Sequence, residues 1–152
     1  LSKNIVINSG NSMDNATPSY NFMCSLLLVR LHYYYDSKKY RKVVEASMNR
    51  AGASINQYPH AHSTALFVYN YLLNGPKEIV LAADTNTDPL MDLVKQTYIP
   101  CKIVASSSTK MNLPILKDKK MVDGKSAIYI CKNYTCREPI VSELVLKDEL
   151  AL

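Results

Sequence analysis

At 152 residues, with 47% hydrophobic and 20% charged side chains, the chain suits one medium domain or two small packed subdomains and is too apolar for intrinsic disorder. The net charge of +5 is spread out; the one local cluster, Lys117, Lys119, Lys120 and Lys125, is diluted by Asp118 and Asp123 and reads as a solvated loop, not a nucleic-acid patch. Four cysteines are too few for a disulfide scaffold.

Residues 1–9 lack the basic and apolar segments of a signal peptide, and the longest apolar block, residues 26–29, falls far short of a membrane span. The expectation is a cytoplasmic protein with reduced thiols, with no nucleic-acid and no membrane partner. Lys147-Asp148-Glu149-Leu150 spells a retention signal that is read only at an extreme C-terminus, and Ala151 and Leu152 follow it. The chain opens without a methionine, which points to part of a longer polypeptide.

Helical signals dominate the first half. Thr17-Pro18 reads as an N-cap followed by proline at the first helical position. Residues 19–35 then carry apolar side chains on nearly every side, so this helix should be buried on more than one face. Ser37 is placed to cap a second helix to about residue 57, with Tyr40, Val43, Val44, Ser47, Met48, Ala51 and Ile55 at helical spacing. After Pro59 a third helix is expected over residues 60–73, with Ala65, Leu66, Tyr69, Leu72 and Leu73 on one stripe and Gly75-Pro76 as its stop.

The period changes at Glu78. Residues 79–83 form a continuous apolar run, the mark of a buried strand. A helical pattern over residues 90–98 and a second strand over 101–105 complete a βαβ unit. Residues 113–121 read as a short helix of weak pattern. Residues 123–139 read as a β-hairpin, with Ile128 and Ile130 on one strand face and Ala127, Tyr129 and Cys131 on the other. Both faces are apolar, which predicts a hairpin sandwiched between the βαβ layer and a final helix over residues 143–150, capped by Ser142. The fold class is therefore mixed α/β: helices over residues 1–75, then a small α/β subdomain over 76–152 with a βαβ unit and a β-hairpin.

Two stretches resemble a known family. Asp123-Gly124-Lys125, an alternating strand, then Cys131, Asn133, Tyr134, Thr135, Cys136 and Pro139 form one motif; Asp14-Asn15-Ala16-Thr17-Pro18-Ser19-Tyr20-Asn21 forms the other. Together, over residues 14–150, they resemble the C-terminal part of the YyaL/spermatogenesis-associated thioredoxin-domain family. The resemblance implies a longer protein with a thioredoxin-like domain and an (α/α) barrel like that of N-acylglucosamine 2-epimerases. This chain would supply the last barrel helices and a small α/β cap, and would not catalyse alone. Sugar isomerase or epimerase chemistry in the full-length protein is implied by the barrel, with a carbohydrate as ligand and the rest of the polypeptide as partner. Tyr20 and Phe22 stand where the family has small residues.

No catalytic residue is assigned, and no cofactor or metal is called for. Asp14, Ser19 and Asn21 are the candidates for a substrate cleft, because they gather around a first helical turn with free backbone amides; the alternative is that Asp14 and Ser19 merely cap that helix. Asp84 and Asp88 follow a strand, the usual ligand edge of an α/β unit, but without a glycine-rich phosphate loop. His60 and His62 are two apart and cannot share a metal from one helix face. The thiol pair Cys131 and Cys136 should face each other across the hairpin, where a disulfide is geometrically accessible in a close, non-hydrogen-bonded pairing. Zinc would need two further ligands. The prediction is a reduced, unmetallated, structural pair; the alternative function for the chain is a redox or protein-interaction module built on it.

Overall fold

The computed structural model describes residues 12–150 apart from Asn86, Lys110 and Tyr134. The readings of the leading residues, of the hairpin tip at Tyr134 and of the last two residues therefore lie outside the described residues. Within them the protein is mixed α/β, with five α-helices and one four-stranded sheet. It forms two compact units, one built from residues up to His32 with Ser37–Leu72, the other from Tyr33–Asp36 and the residues from Leu73 onward.

The first unit is helical. α1 (Tyr20–Tyr35) starts later than Thr17-Pro18 suggests: the carbonyl of Ser19 accepts the Met23 amide at 2.9 Å, so Ser19 is the capping residue. Its buried line is Phe22, Ser25, Val29 and His32, at spacings that keep one face inward. Burial on more than one face, expected from its apolar composition, is not found: Tyr20, Met23 and Leu27 are 53%, 46% and 58% exposed. α2 (Lys38–Gln57) buries Val44, Met48 and Ile55 of the expected set, whereas Val43 is exposed. The Ser25 hydroxyl donates to the Asn21 carbonyl at 2.9 Å and lies 3.3 Å from the Ser47 hydroxyl, which ties α1 to α2.

Pro59–Ala61 is a 3-10 turn, and α3 (Ser63–Asn74) begins only after His62. α3 buries Ala65, Val68 and Tyr71, whereas Leu66 and Leu73 of the expected stripe are exposed. An apolar helix offers more than one stripe of the right period, so periodicity alone does not choose the inward one. Gly75, at φ +67°, then takes the left-handed conformation that ends a helix without a Cβ penalty.

The second unit is a sheet with strand order β2-β1-β3-β4. β1 (Lys77–Ala82) and β2 (Lys102–Ser106) run parallel, joined through α4 (Pro89–Gln96), which is the βαβ unit. β3 (Ala127–Lys132) pairs antiparallel with the other edge of β1, and β4 (Thr135–Cys136) closes the hairpin. The hairpin thus joins the sheet instead of packing on it as a separate layer. β1 has two edges to satisfy and buried residues on both faces, which is the position of a central strand.

Ile79, Leu81, Ile128 and Ile130 form one sheet face with Leu90, Met91 and Val94 of α4 and with Leu146 and Leu150 of α5 (Glu143–Leu150). Ser142 caps α5 through its carbonyl, which accepts the Leu146 amide. Lys102 donates to the carbonyls of Val94 and Thr97, placing a cation on the negative end of α4. Residues 113–121 are not a helix beyond the 3-10 turn Pro114–Leu116. No helix among the described residues is long and apolar enough to cross a membrane.

Candidate functional site

Asp14 organises the start of the helical unit. Its Oδ1 accepts the Ser19 amide at 2.7 Å at the base of α1. Its Oδ2 accepts the Ser63 hydroxyl at 2.9 Å and the Thr64 amide at 2.7 Å at the base of α3. One carboxylate thereby serves two helix N-termini, where free amides and the helix dipole both favour negative charge. Partial burial pushes the Asp14 carboxyl up, but the hydrogen bonds from Ser19, Thr64 and Ser63 together outweigh it and lower its pKa from 3.8 to about 2.

Ser19 is only 2% exposed, its amide is committed to Asp14 and its carbonyl to the helix. Asn21 is placed differently. It lines a cleft of about 300 Å³ with Ser12, Ser47, Arg50 and Ser54, floored by Phe22. Asp14 and Ser19 do not line it. Ser47, Arg50 and Ser54 stand at i, i+3 and i+7 on α2, so they form one polar stripe beside the apolar one. That spacing is visible in the sequence, although a polar stripe on an amphipathic helix ordinarily means a solvated face. Hydroxyls, a carboxamide and a guanidinium around such a volume suit a small polyhydroxylated or anionic ligand.

His62 is the residue whose importance the sequence conceals. It is fully buried, with Nδ1 at 2.7 Å from the Ser12 carbonyl and Nε2 at 2.9 Å from the Ser54 hydroxyl. Phe22 meets its ring edge-on at a centroid distance of 5.9 Å. With both nitrogens engaged by protein groups, His62 holds Ser12 and Ser54 at the cleft's rim and has no nitrogen left for a ligand. His60 lies exposed in the preceding turn.

In the sheet unit, Asp88 is an N-cap: its carboxylate accepts the Leu90 amide at 2.9 Å. Asp84 is exposed beyond the end of β1. The hairpin register sets Cys131 opposite Cys136, and the Arg137 amide donates to the Ile130 carbonyl in the next pair. Because antiparallel ladders alternate, the cysteines occupy the non-hydrogen-bonded position, where side chains come closest; their Cα atoms are 3.9 Å apart. They are joined as a disulfide, which corrects the prediction of two reduced thiols. That prediction rested on an expected reducing compartment and on burial of both thiols in apolar surroundings, whereas Cys136 is exposed and the register itself favours the bond. Cys131 is 2% exposed and is the register partner of the buried Glu78 on β1, while Cys136 is exposed. Cys24 and Cys101 take no part in a disulfide; Cys101 is buried and Cys24 is exposed on α1. Among the described residues no group of three or more His, Cys, Asp or Glu side chains could hold a metal.

No family model matches the chain. No solved structure matches it either. Two curated proteins do: spermatogenesis-associated protein 20 of Mus musculus is 24% identical over 149 residues, and that of Rattus norvegicus 25% identical over 149 residues. In each case the match covers 92% of this chain but only 19% of the relative. The chain is distantly homologous to one stretch of spermatogenesis-associated protein 20, and spans about a fifth of the length of the curated relatives it matches.

Proposed function

We propose that the chain works as one portion of a longer polypeptide, related to spermatogenesis-associated protein 20, and not as an enzyme by itself. In this reading the helical unit, residues 1–75, supplies the last helices of an (α/α) barrel, and residues 76–152 form its α/β cap. The observation that carries it is the uncovered apolar stripe of α1: Tyr20, Met23 and Leu27 recur at i, i+3 and i+7 and are each about half exposed. A surface helix of a finished domain places polar residues there. The coverage of only 19% of each relative leaves ample chain to lie on that stripe.

The cleft of Asn21, Ser47, Arg50 and Ser54 would then face a carbohydrate in the complete protein, consistent with a sugar isomerase or epimerase relation. The test has two parts. The chain alone should self-associate and bind an apolar dye, and co-expression with the preceding polypeptide should suppress both; a dye-silent monomer would count against the reading. In the intact protein, a screen of mannose-, glucosamine- and cellobiose-type sugars should find a ligand whose binding weakens in Asn21→Ala and Arg50→Gln.

A further inference from the structure

The cleft of Asn21, Ser47, Arg50 and Ser54 has a hydrogen-bonding polarity set by the buried ring behind it. Nδ1 of His62 lies 2.7 Å from the Ser12 carbonyl, and a carbonyl only accepts, so Nδ1 carries the ring proton. In the neutral ring Nε2 is then an acceptor, and the Ser54 hydroxyl, 2.9 Å away, donates to it. With its single proton committed to the ring, Ser54 offers the cleft only lone pairs and calls for a donor on the ligand. Arg50 is the opposite case, because a guanidinium donates and never accepts. Arg50 and Ser54 stand at i and i+4 on α2, so the two demands lie side by side, about 5–6 Å apart at their Cβ atoms.

Charge points the same way. Arg50 is exposed, and none of the ion pairs among the described residues includes it. Among the described residues that line the cleft there is no carboxylate. α2 as a whole carries five basic side chains against Glu45 alone. A neutral sugar leaves the guanidinium fork unmatched, whereas a carboxylate or a phosphate fills it with two parallel hydrogen bonds. We propose that the cleft binds an anionic sugar, with its carboxylate or phosphate on Arg50 and a neighbouring hydroxyl donating to Ser54. The proposal rests on the carbohydrate reading of this cleft and narrows it to acidic sugars. The cleft recognises and does not catalyse: Asn21, Ser47, Arg50 and Ser54 include no general base, and both nitrogens of His62 are spent within the protein.

The experiment titrates the intact protein with glucuronate, glucose 6-phosphate, glucose and inorganic sulfate, with binding followed by calorimetry or NMR. At least one acidic sugar should bind about tenfold tighter than glucose, and the better of the two identifies the anion as carboxylate or phosphate. In Arg50→Gln, at an exposed position, that preference should vanish. Arg50→Lys keeps the charge but not the fork and should restore only part of it. Ser54→Ala should weaken the acidic sugar about threefold to tenfold and leave sulfate, which has no hydroxyl, unchanged; a thermal melt confirms that the variant is folded. If glucose binds as tightly as both acidic sugars, or if the preference survives Arg50→Gln, the proposal is overturned while the carbohydrate reading stands. Sulfate binding as tightly as the acidic sugars would reduce the site to a bare surface cation and overturn it as well. Binding of none of the sugars would remove both the proposal and the carbohydrate reading.

Discussion

Asp14 accepts the backbone amide of Thr64 at 2.7 Å across fifty residues of chain, while its other oxygen holds the Ser19 amide at the same distance. The entry turns of α1 and α3 are therefore tied by a single carboxylate. Asp14→Ala removes two caps at once and should cost about 2 kcal/mol, since each cap is worth about 1 kcal/mol. Chemical denaturation with an unchanged slope is the measurement; a loss under about 0.5 kcal/mol would mean that the caps are independent of Asp14.

The same carboxylate gives a pH dependence. Its pKa falls from 3.8 to about 2 on folding, so the folded state binds its proton less readily than the unfolded state. The stabilisation is present above the unfolded value and is lost as pH falls through the folded one, a window of roughly pH 5 to 1. Comparing the acid unfolding of wild type with Asp14→Asn isolates this contribution. The wild type should lose more stability than the variant across that window, and parallel curves would exclude the mechanism.

His62→Ala should be more damaging than its place in a polar turn suggests. It empties a fully buried site beside Phe22 and leaves the Ser54 hydroxyl and the Ser12 carbonyl without the ring. The cavity and the two lost hydrogen bonds together should cost about 2–4 kcal/mol. His60→Ala, at an exposed position two residues earlier, should change stability by less than about 0.5 kcal/mol. The pair of urea midpoints tests the assignment, and similar values for both histidines would refute it.

These residues also mark where sequence reasoning reached and where it stopped. α2 and β1 were legible because their patterns are bounded by chemical punctuation: Ser37 before α2, Gly75 before β1. The inward face of α1 was not legible, because hydrophobicity points in no direction around it; the structure buries Ser25 and His32 and exposes Met23 and Leu27. Asn21 could be named from its place in the first helical turn. Its cleft partners Ser47, Arg50 and Ser54 sat in plain spacing on α2 but had no distinguishing pattern from an ordinary solvated stripe. The His62–Ser12 contact spans fifty residues, and no local signal encodes such a pairing.

Gly75 and Asn133 are coupled within the sheet unit. A Cβ built on Gly75 would lie 2.6 Å from Oδ1 of Asn133, and Gly75 also holds φ +67°. Gly75→Ala should therefore cost about 1–2 kcal/mol from the backbone conformation alone, with the contact added. Asn133 itself has φ 51°, so Asn133→Gly suits its backbone and removes the obstructing carboxamide. In the double variant part of the Gly75→Ala loss should return, leaving the conformational share. A strictly additive double-mutant cycle would show that the two residues do not meet.

The last prediction separates the two roles of the hairpin cysteines. Closing a loop of this length contributes about 2 kcal/mol by restricting the unfolded chain. Cys131→Ala/Cys136→Ala should accordingly lower the melting temperature by about 4–8 °C, and reduction of the wild type should lower it by a similar amount. Once the bond is absent, the two positions should diverge. Cys136 is exposed, so serine there should be nearly neutral relative to the reduced protein. Cys131 is 2% exposed, in a strand between β1 and β4, so a serine hydroxyl there loses water and should cost about 1–3 kcal/mol more. Melting the two single serine variants under reducing conditions measures the difference directly. Equal melting temperatures would mean that the two positions share one environment.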